Sequence, residues 1–182
     1  MSRRCIRKGE MMIYIDIDGV VADTHGLACD IAGGIWGIDV TPAQITSWNP
    51  GIGGIEMGTV IEKVANDPRL NKYIKPVEDA VYYIEEILVD YDAKLLTARP
   101  AMSKTDMWVA EHFGWPVEVI YCADKAQCAD PGDILIDDDP SQCRAWQQAG
   151  GRALLFDQPW NRDAEGLTRC VGWGEVLQEL GL

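Results

Sequence analysis

The sequence predicts an α/β fold: a three-layer sandwich in which a central parallel sheet is covered by helices on both faces, with a small helical cap inserted after the first strand. Two observations lead there. Short apolar runs alternate with longer segments of helical spacing, as strands joined by crossover helices do. The first connection is far longer than one crossover needs, and long excursions in compact domains are usually lids or binding elements. A chain of 182 residues, 47% hydrophobic and 25% charged, can bury one sizeable core, so a single domain with an insertion is expected.

The elements follow in order. Residues 1–11 read as a tail, basic but without the apolar stretch of a secretory signal. The first strand is "MIYID" (12–16). The cap spans 24–75, with helical pieces separated by "SWNPGIGGIEMG", whose glycines read as a flexible turn rather than a phosphate-gripping loop, because no strand precedes them in the required order. A helix over "VEDAVYYIEEILVDY" leads into the strand "AKLLT" (93–97). "KTDMWVAEHFG" places Met107, Val109, Ala110 and Phe113 at helical spacing and stops at Gly114. The strands "VEVIY" and "DILID" come next. In "DPSQCRAWQQAGG", Asp139 is the N-cap, Pro140 fills the first turn and Gln142 completes a capping box. The strand "RALLF" and the helix "WGEVLQEL" close a core domain made of 12–23 and 76–182.

Composition narrows the function classes. A net charge of −13 disfavours nucleic acid as a partner, since an acidic surface repels a phosphate backbone. A small phosphorylated substrate stays open, because a bound divalent cation reverses the local field. No run is long and apolar enough to span a bilayer. Six cysteines without a C-x-x-C pair, and only two histidines, argue against zinc and for reduced thiols in the cytoplasm. Monomer and homodimer are both compatible with the sequence.

The chemistry-bearing residues stand at strand ends. Doubly wound sheets bind ligands beyond the carboxyl ends of their strands, where the strand order reverses. Asp16 and Asp18 end the first strand, and Asp137, Asp138 and Asp139 end the fourth. If those strands are neighbours, four or five carboxylates converge and call for a cation. An all-oxygen set points to a hard ion, with Mg2+ the usual one. Thr97 and the adjacent amide of Ala98 can hydrogen-bond phosphoryl oxygens, and Lys125 brings a positive point charge.

Taken together and in order, D-x-D-G-V-V at Asp16–Val21, Thr97, Lys125 and the pair Asp137 and Asp138 resemble the four motifs of the haloacid dehalogenase (HAD) superfamily. The stretches "DIDGVVAD", "LLTARP", "DK" before "GDILIDDDP" and "LLFDQPWNR" are most similar to the 5'(3')-deoxyribonucleotidases and their bacterial or phage relatives. The resemblance implies a Rossmann-like core and a Mg2+-dependent phosphomonoesterase acting on nucleoside monophosphates. It implies Asp16 as the nucleophile that becomes an aspartyl phosphate and Asp18 as the acid and base. Mg2+ would lie among the Asp16 carboxylate, the Asp18 main-chain carbonyl, the phosphate and an oxygen of Asp137 or Asp138, with Thr97 and Lys125 stabilising the phosphoryl oxygens.

Several residues have competing roles. Arg99 either contacts the substrate phosphate or caps the turn after Thr97. Trp36 and Trp48, both in the cap, either stack on a nucleobase or build the cap's own small core. Trp108, Trp115, Trp146 and Trp173 belong to packing. Asp139 suits an N-cap better than a metal site, and Asp133 suits a turn before its strand. His25 and His112 read as solvent-facing or structural. The rival functions are another phosphatase of the superfamily, such as a polynucleotide 3'-phosphatase or a small-metabolite phosphatase, and a non-catalytic binding module that keeps the fold.

Overall fold

The computed structural model describes residues 11–182, so the expected N-terminal tail lies, but for Met11, outside the described residues. β1 (Met12–Ile15) buries Ile13 and Ile15 completely. The long insertion then supplies α1 (Thr24–Trp36), the paired strands β2 (Gly51–Ile52) and β3 (Ile55–Glu56), α2 (Met57–Asn66) and α3 (Pro68–Asn71). α4 (Ala80–Asp90), β4 (Asp92–Thr97), α5 (Thr105–Phe113), β5 (Val119–Tyr121), β6 (Ile134–Asp137), α6 (Pro140–Gln148), β7 (Arg152–Phe156), β8 (Thr168–Cys170) and α7 (Trp173–Leu180) complete the chain.

Six strands form one parallel sheet in the order β5-β4-β1-β6-β7-β8. The chain runs outward from β1 through β4 to β5 and returns to β6 on the other side of β1, so the order reverses between β1 and β6. All four residues of β6 are buried, as expected of a strand covered on both faces. Just past β1 the Asp16 amide donates to the Ile136 carbonyl at 2.9 Å, which sets the ends of β1 and β6 level. One apolar cluster joins strand residues such as Ile13, Ile15 and Leu154 to Ala28, Met57 and Val64 of the insertion, so the two parts share a core.

Three local features differ from the sequence reading. The glycine-rich segment is a β-hairpin: Gly53 and Gly54, at φ 58° and 83°, form the two-residue turn that matches the twist of paired strands. Asn49 pins it, accepting from the Gly58 amide at 2.8 Å and donating to Glu56 at 3.0 Å. No capping box closes on Asp139, which is the N-cap through its bond from the Ser141 amide at 2.7 Å. The Gln142 side chain instead donates to the Ala123 carbonyl at 3.1 Å and ties α6 to the turn that carries Lys125. Finally β8, an edge strand of three residues, adds a sixth strand to the five expected. Among the described residues no helix is long and apolar enough to cross a membrane.

Candidate active site

The reversal point between β1 and β6 collects the acidic residues. Carboxylate oxygens of Asp16, Asp137 and Asp138, all buried, lie within 4.8 Å of one another. Lys125, 2% exposed at the start of a short 3-10 turn after β5, donates to Asp16 Oδ1 at 2.6 Å and to Asp137 Oδ2 at 2.7 Å. The other Asp137 oxygen accepts from the Asp139 amide at 2.9 Å. Three buried carboxyl groups thus face one buried ammonium, so that, with all three ionised, two negative charges are uncompensated. Burial, joined by repulsion from Asp137 and Asp18 and opposed by Lys125, pushes the Asp16 carboxyl up to about 8. Burial and then the charges of Asp16 and Asp137 hold Asp138 well above the usual carboxylate range. An all-oxygen, charge-deficient cluster of this kind fits a hard divalent cation.

Asp18 sits in different company. The Arg99 guanidinium grips it with two bonds, Nε to Oδ2 at 2.8 Å and Nη2 to Oδ1 at 2.6 Å, and the Thr24 hydroxyl donates to the same carboxylate. Burial raises the Asp18 carboxyl, but the charge and hydrogen bonds of Arg99 outweigh it, and the net shift is downward. Arg99 also reaches Thr24 at 3.1 Å, Thr105 at 3.3 Å and Asn71 of α3 at 3.4 Å. Of the two roles read from the sequence, the placement resembles the turn-closing one, while its side chain is engaged by Asp18, Thr24, Asn71 and Thr105. Its backbone amide does bond the Thr97 hydroxyl at 3.1 Å, closing the turn after β4. Thr97 is buried at that strand end, and Ala98 lies exposed beside it.

The aromatic residues divide. Trp48, 49% exposed, meets Trp160 edge to face at 6.5 Å, and the two border a cleft of about 610 Å3 with Asp139, Ser141 and Arg144. Trp36 is not part of this group. It ends α1, twelve residues beyond Thr24 and so about 18 Å along the helix axis, where it borders an apolar groove with Ile31, Ile35 and Val60. His25 is buried rather than solvent-facing, its ring stacked on Trp160 with centroids 3.6 Å apart and planes 9° from parallel. Burial lowers its pKa to about 4 despite the nearby Asp18. His112 packs against Trp108 at 4.6 Å. Asp133 caps the opposite end of β6, accepting from the Met12 amide at 2.9 Å.

The stretch "LLFDQPWNR" carried part of the resemblance, but sequence reasoning gave no role to its residues in the loop after β7. Trp160 donates from Nε1 to Asp138 Oδ2 at 2.8 Å, and Asn161 donates to the Asp138 carbonyl at 2.8 Å. Gln158 donates to the Gly19 carbonyl. The available signal was positional: this loop follows a parallel strand at the carboxyl edge of the sheet, where ligand-facing groups gather.

A doubly wound sheet with D-x-D-G at its central strand, a buried lysine and a facing acidic pair defines a phosphatase of the HAD superfamily. Solved structures share the fold: a HAD family hydrolase of Deinococcus radiodurans with bound phosphate and sodium (12% identity, 93% of this chain and 94% of that one, TM-score 0.63) and a haloacid dehalogenase-like hydrolase of Streptococcus pneumoniae (16%, 93% and 98%, TM-score 0.60). A HAD hydrolase of Bacillus subtilis bound to magnesium aligns at 11% identity over 97% of this chain and 100% of that one, with TM-score 0.61. Residues 10–181 match the family described as 5' nucleotidase, deoxy (pyrimidine), cytosolic type C, and the chain belongs to that family. A search of the curated proteins returned no match.

Proposed function

We propose that this phosphatase is a Mg2+-dependent 5'(3')-deoxyribonucleotidase of the cytoplasm that cleaves nucleoside monophosphates through an aspartyl phosphate on Asp16. The observation that carries the reading is the charge count at the strand ends: Asp16, Asp137 and Asp138 against Lys125 alone. The carboxylates of Asp16 and of Asp137 or Asp138, with the Asp18 main-chain carbonyl, would hold the cation. When bound, it would neutralise these carboxylates and withdraw charge from the phosphoryl oxygens.

The chain's own residues supply the remaining steps. Asp16 attacks phosphorus opposite the leaving oxygen, and Lys125, already 2.6 Å from Asp16 Oδ1, steadies the phosphoryl group beside it. The Thr97 hydroxyl and the Ala98 amide hold the other oxygens in place. Asp18 is ionised against Arg99, the form that takes a proton from the attacking water when the intermediate is hydrolysed. To protonate the leaving alcohol it must first gain a proton, which the arriving negative phosphate favours. The nucleoside occupies the cleft beside Trp48, whose half-exposed ring suits a base. Trp36 takes no part in this reading.

Phosphate release from a panel of nucleoside monophosphates and sugar phosphates, with and without Mg2+, tests the proposal. Deoxynucleotides should be cleaved fastest, Mg2+ should be required, and Asp16→Asn should lower the rate by about a thousandfold or more. Equal rates for that variant and the parent would sink the covalent route. A preference for sugar phosphates would remove the nucleotide assignment alone.

A further inference from the structure

Trp160 is in contact with both sides of the site. It is 4% exposed, and its indole N–H is spent on Asp138 Oδ2 at 2.8 Å. One face of its ring carries His25 from the first turn of α1, and the ring also meets Trp48 from the loop before the hairpin. The neighbouring Asn161 binds the Asp138 carbonyl and the Phe156 carbonyl, each at 2.8 Å, and is itself held by Arg169 at 2.7 Å. Asp138 is therefore fixed through both its side chain and its main chain by a single loop.

Gly19 shows independently how closely this pair is fitted. It lies in the left-handed region at φ 73°, and a Cβ there would stand 2.4 Å from Asp138 Oδ2 and 3.0 Å from Trp160 Cζ2. The loop after β1 thus leaves room for the indole and the carboxylate together, and only glycine does so without strain. Directional hydrogen bonds of this type around metal-binding carboxylates typically change metal affinity by about 10–100-fold when removed.

We propose that Trp160 is the positioning residue of the cation site: its N–H fixes the Asp138 carboxylate, and its ring, set between His25 and Trp48, makes that carboxylate's placement depend on how the insertion sits. Trp160 itself touches neither cation nor phosphate. The inference rests on the reading of the carboxylate cluster as a Mg2+ site.

Mg2+ binding measured by calorimetry on the substrate-free protein tests it. Trp160→Phe keeps an aromatic ring, though a smaller one, and deletes the N–H, and should weaken Mg2+ binding about tenfold or more. Trp108→Phe is the control, because that indole donates to the Ile74 carbonyl and does not contact the carboxylates; it should bind Mg2+ as the parent does. Should Trp160→Phe fail to fold, the parent alone still decides: the indole N–H resonance of Trp160, assigned through its proximity to the His25 ring, should shift more on Mg2+ addition than that of Trp108. Parent-like affinity in Trp160→Phe, or an unmoved Trp160 resonance at Mg2+ saturation, would overturn this proposal and leave the cation site standing. A parent that binds no Mg2+ would overturn both.

Discussion

Asp16 and Asp18 are separated by one residue, yet their carboxyl groups are driven in opposite directions. Asp16 faces Asp137 and Asp138 and shares one lysine with Asp137, so burial and repulsion push it up to about 8. Asp18 has a guanidinium to itself and ends below its ordinary value. One half of the site carries uncompensated charge and has a use for a cation. The other is already balanced and keeps its carboxylate ionised. Environment, not residue type, separates the two carboxyl groups, and the proposed division between nucleophile and acid–base group rests on that separation.

The comparison is tested most severely at Asp18. Asp18→Asn should cut phosphate release by about 10^2–10^4-fold while Mg2+ affinity measured by calorimetry stays near that of the parent, because in the proposed site Asp18 would offer the ion its main-chain carbonyl. Loss of Mg2+ binding in that variant would erase the distinction between the halves. Next in size is the balanced pair itself. Arg99→Gln leaves Asp18 without its partner, and should lower stability in urea by about 3 kcal/mol and move the acidic limb of the pH–rate profile upward as the Asp18 pKa rises. An unmoved profile would mean that Arg99 does not control Asp18.

The smallest effect concerns His25, which lies between the halves, near Asp18 and stacked on Trp160. Its pKa falls from an ordinary 6.5 to about 4 on folding, with burial the cause. Between those values the unfolded chain binds the extra proton and the folded one does not, so this stability is full above pH 6.5 and is lost as pH falls toward 4. His25→Gln should flatten the acid side of the stability curve by about 2 kcal/mol across that window, read from urea midpoints at successive pH values. An unchanged slope would show that His25 is not kept neutral.

How legible these features were depended on how local their causes are. β1, β4, β6 and β7 announce themselves as apolar runs, and α5, α6 and α7 by spacing and terminal residues, because each signal lies within a dozen neighbours. β8 consists of Thr168, Arg169 and Cys170, too short and too polar to read as a strand; only pairing with β7 makes it one. The hairpin was hidden because Gly53 and Gly54 look the same in a loose turn as in a tight one. Asp16, Asp18, Lys125, Asp137 and Asp138 could be picked out at strand ends, and the fold brings four of them into one cluster while pairing Asp18 with Arg99. The Arg99–Asp18 grip spans 81 residues and the Trp160–Asp138 bond 22, distances at which no local pattern reports a partner. Trp36 shows the same limit within the insertion. Membership of the insertion said nothing about which end of α1 it occupies.

The two outermost strands of the sheet, β5 and β8, are each three residues long. A rim so abbreviated exposes few unpaired main-chain groups to a newcomer, and Arg169 further anchors one side by bonding back into its own loop. Copies of this protein would accordingly gain little by zipping backbone to backbone. Among the described residues, the rims of this sheet therefore offer a short template for backbone pairing or cross-β extension.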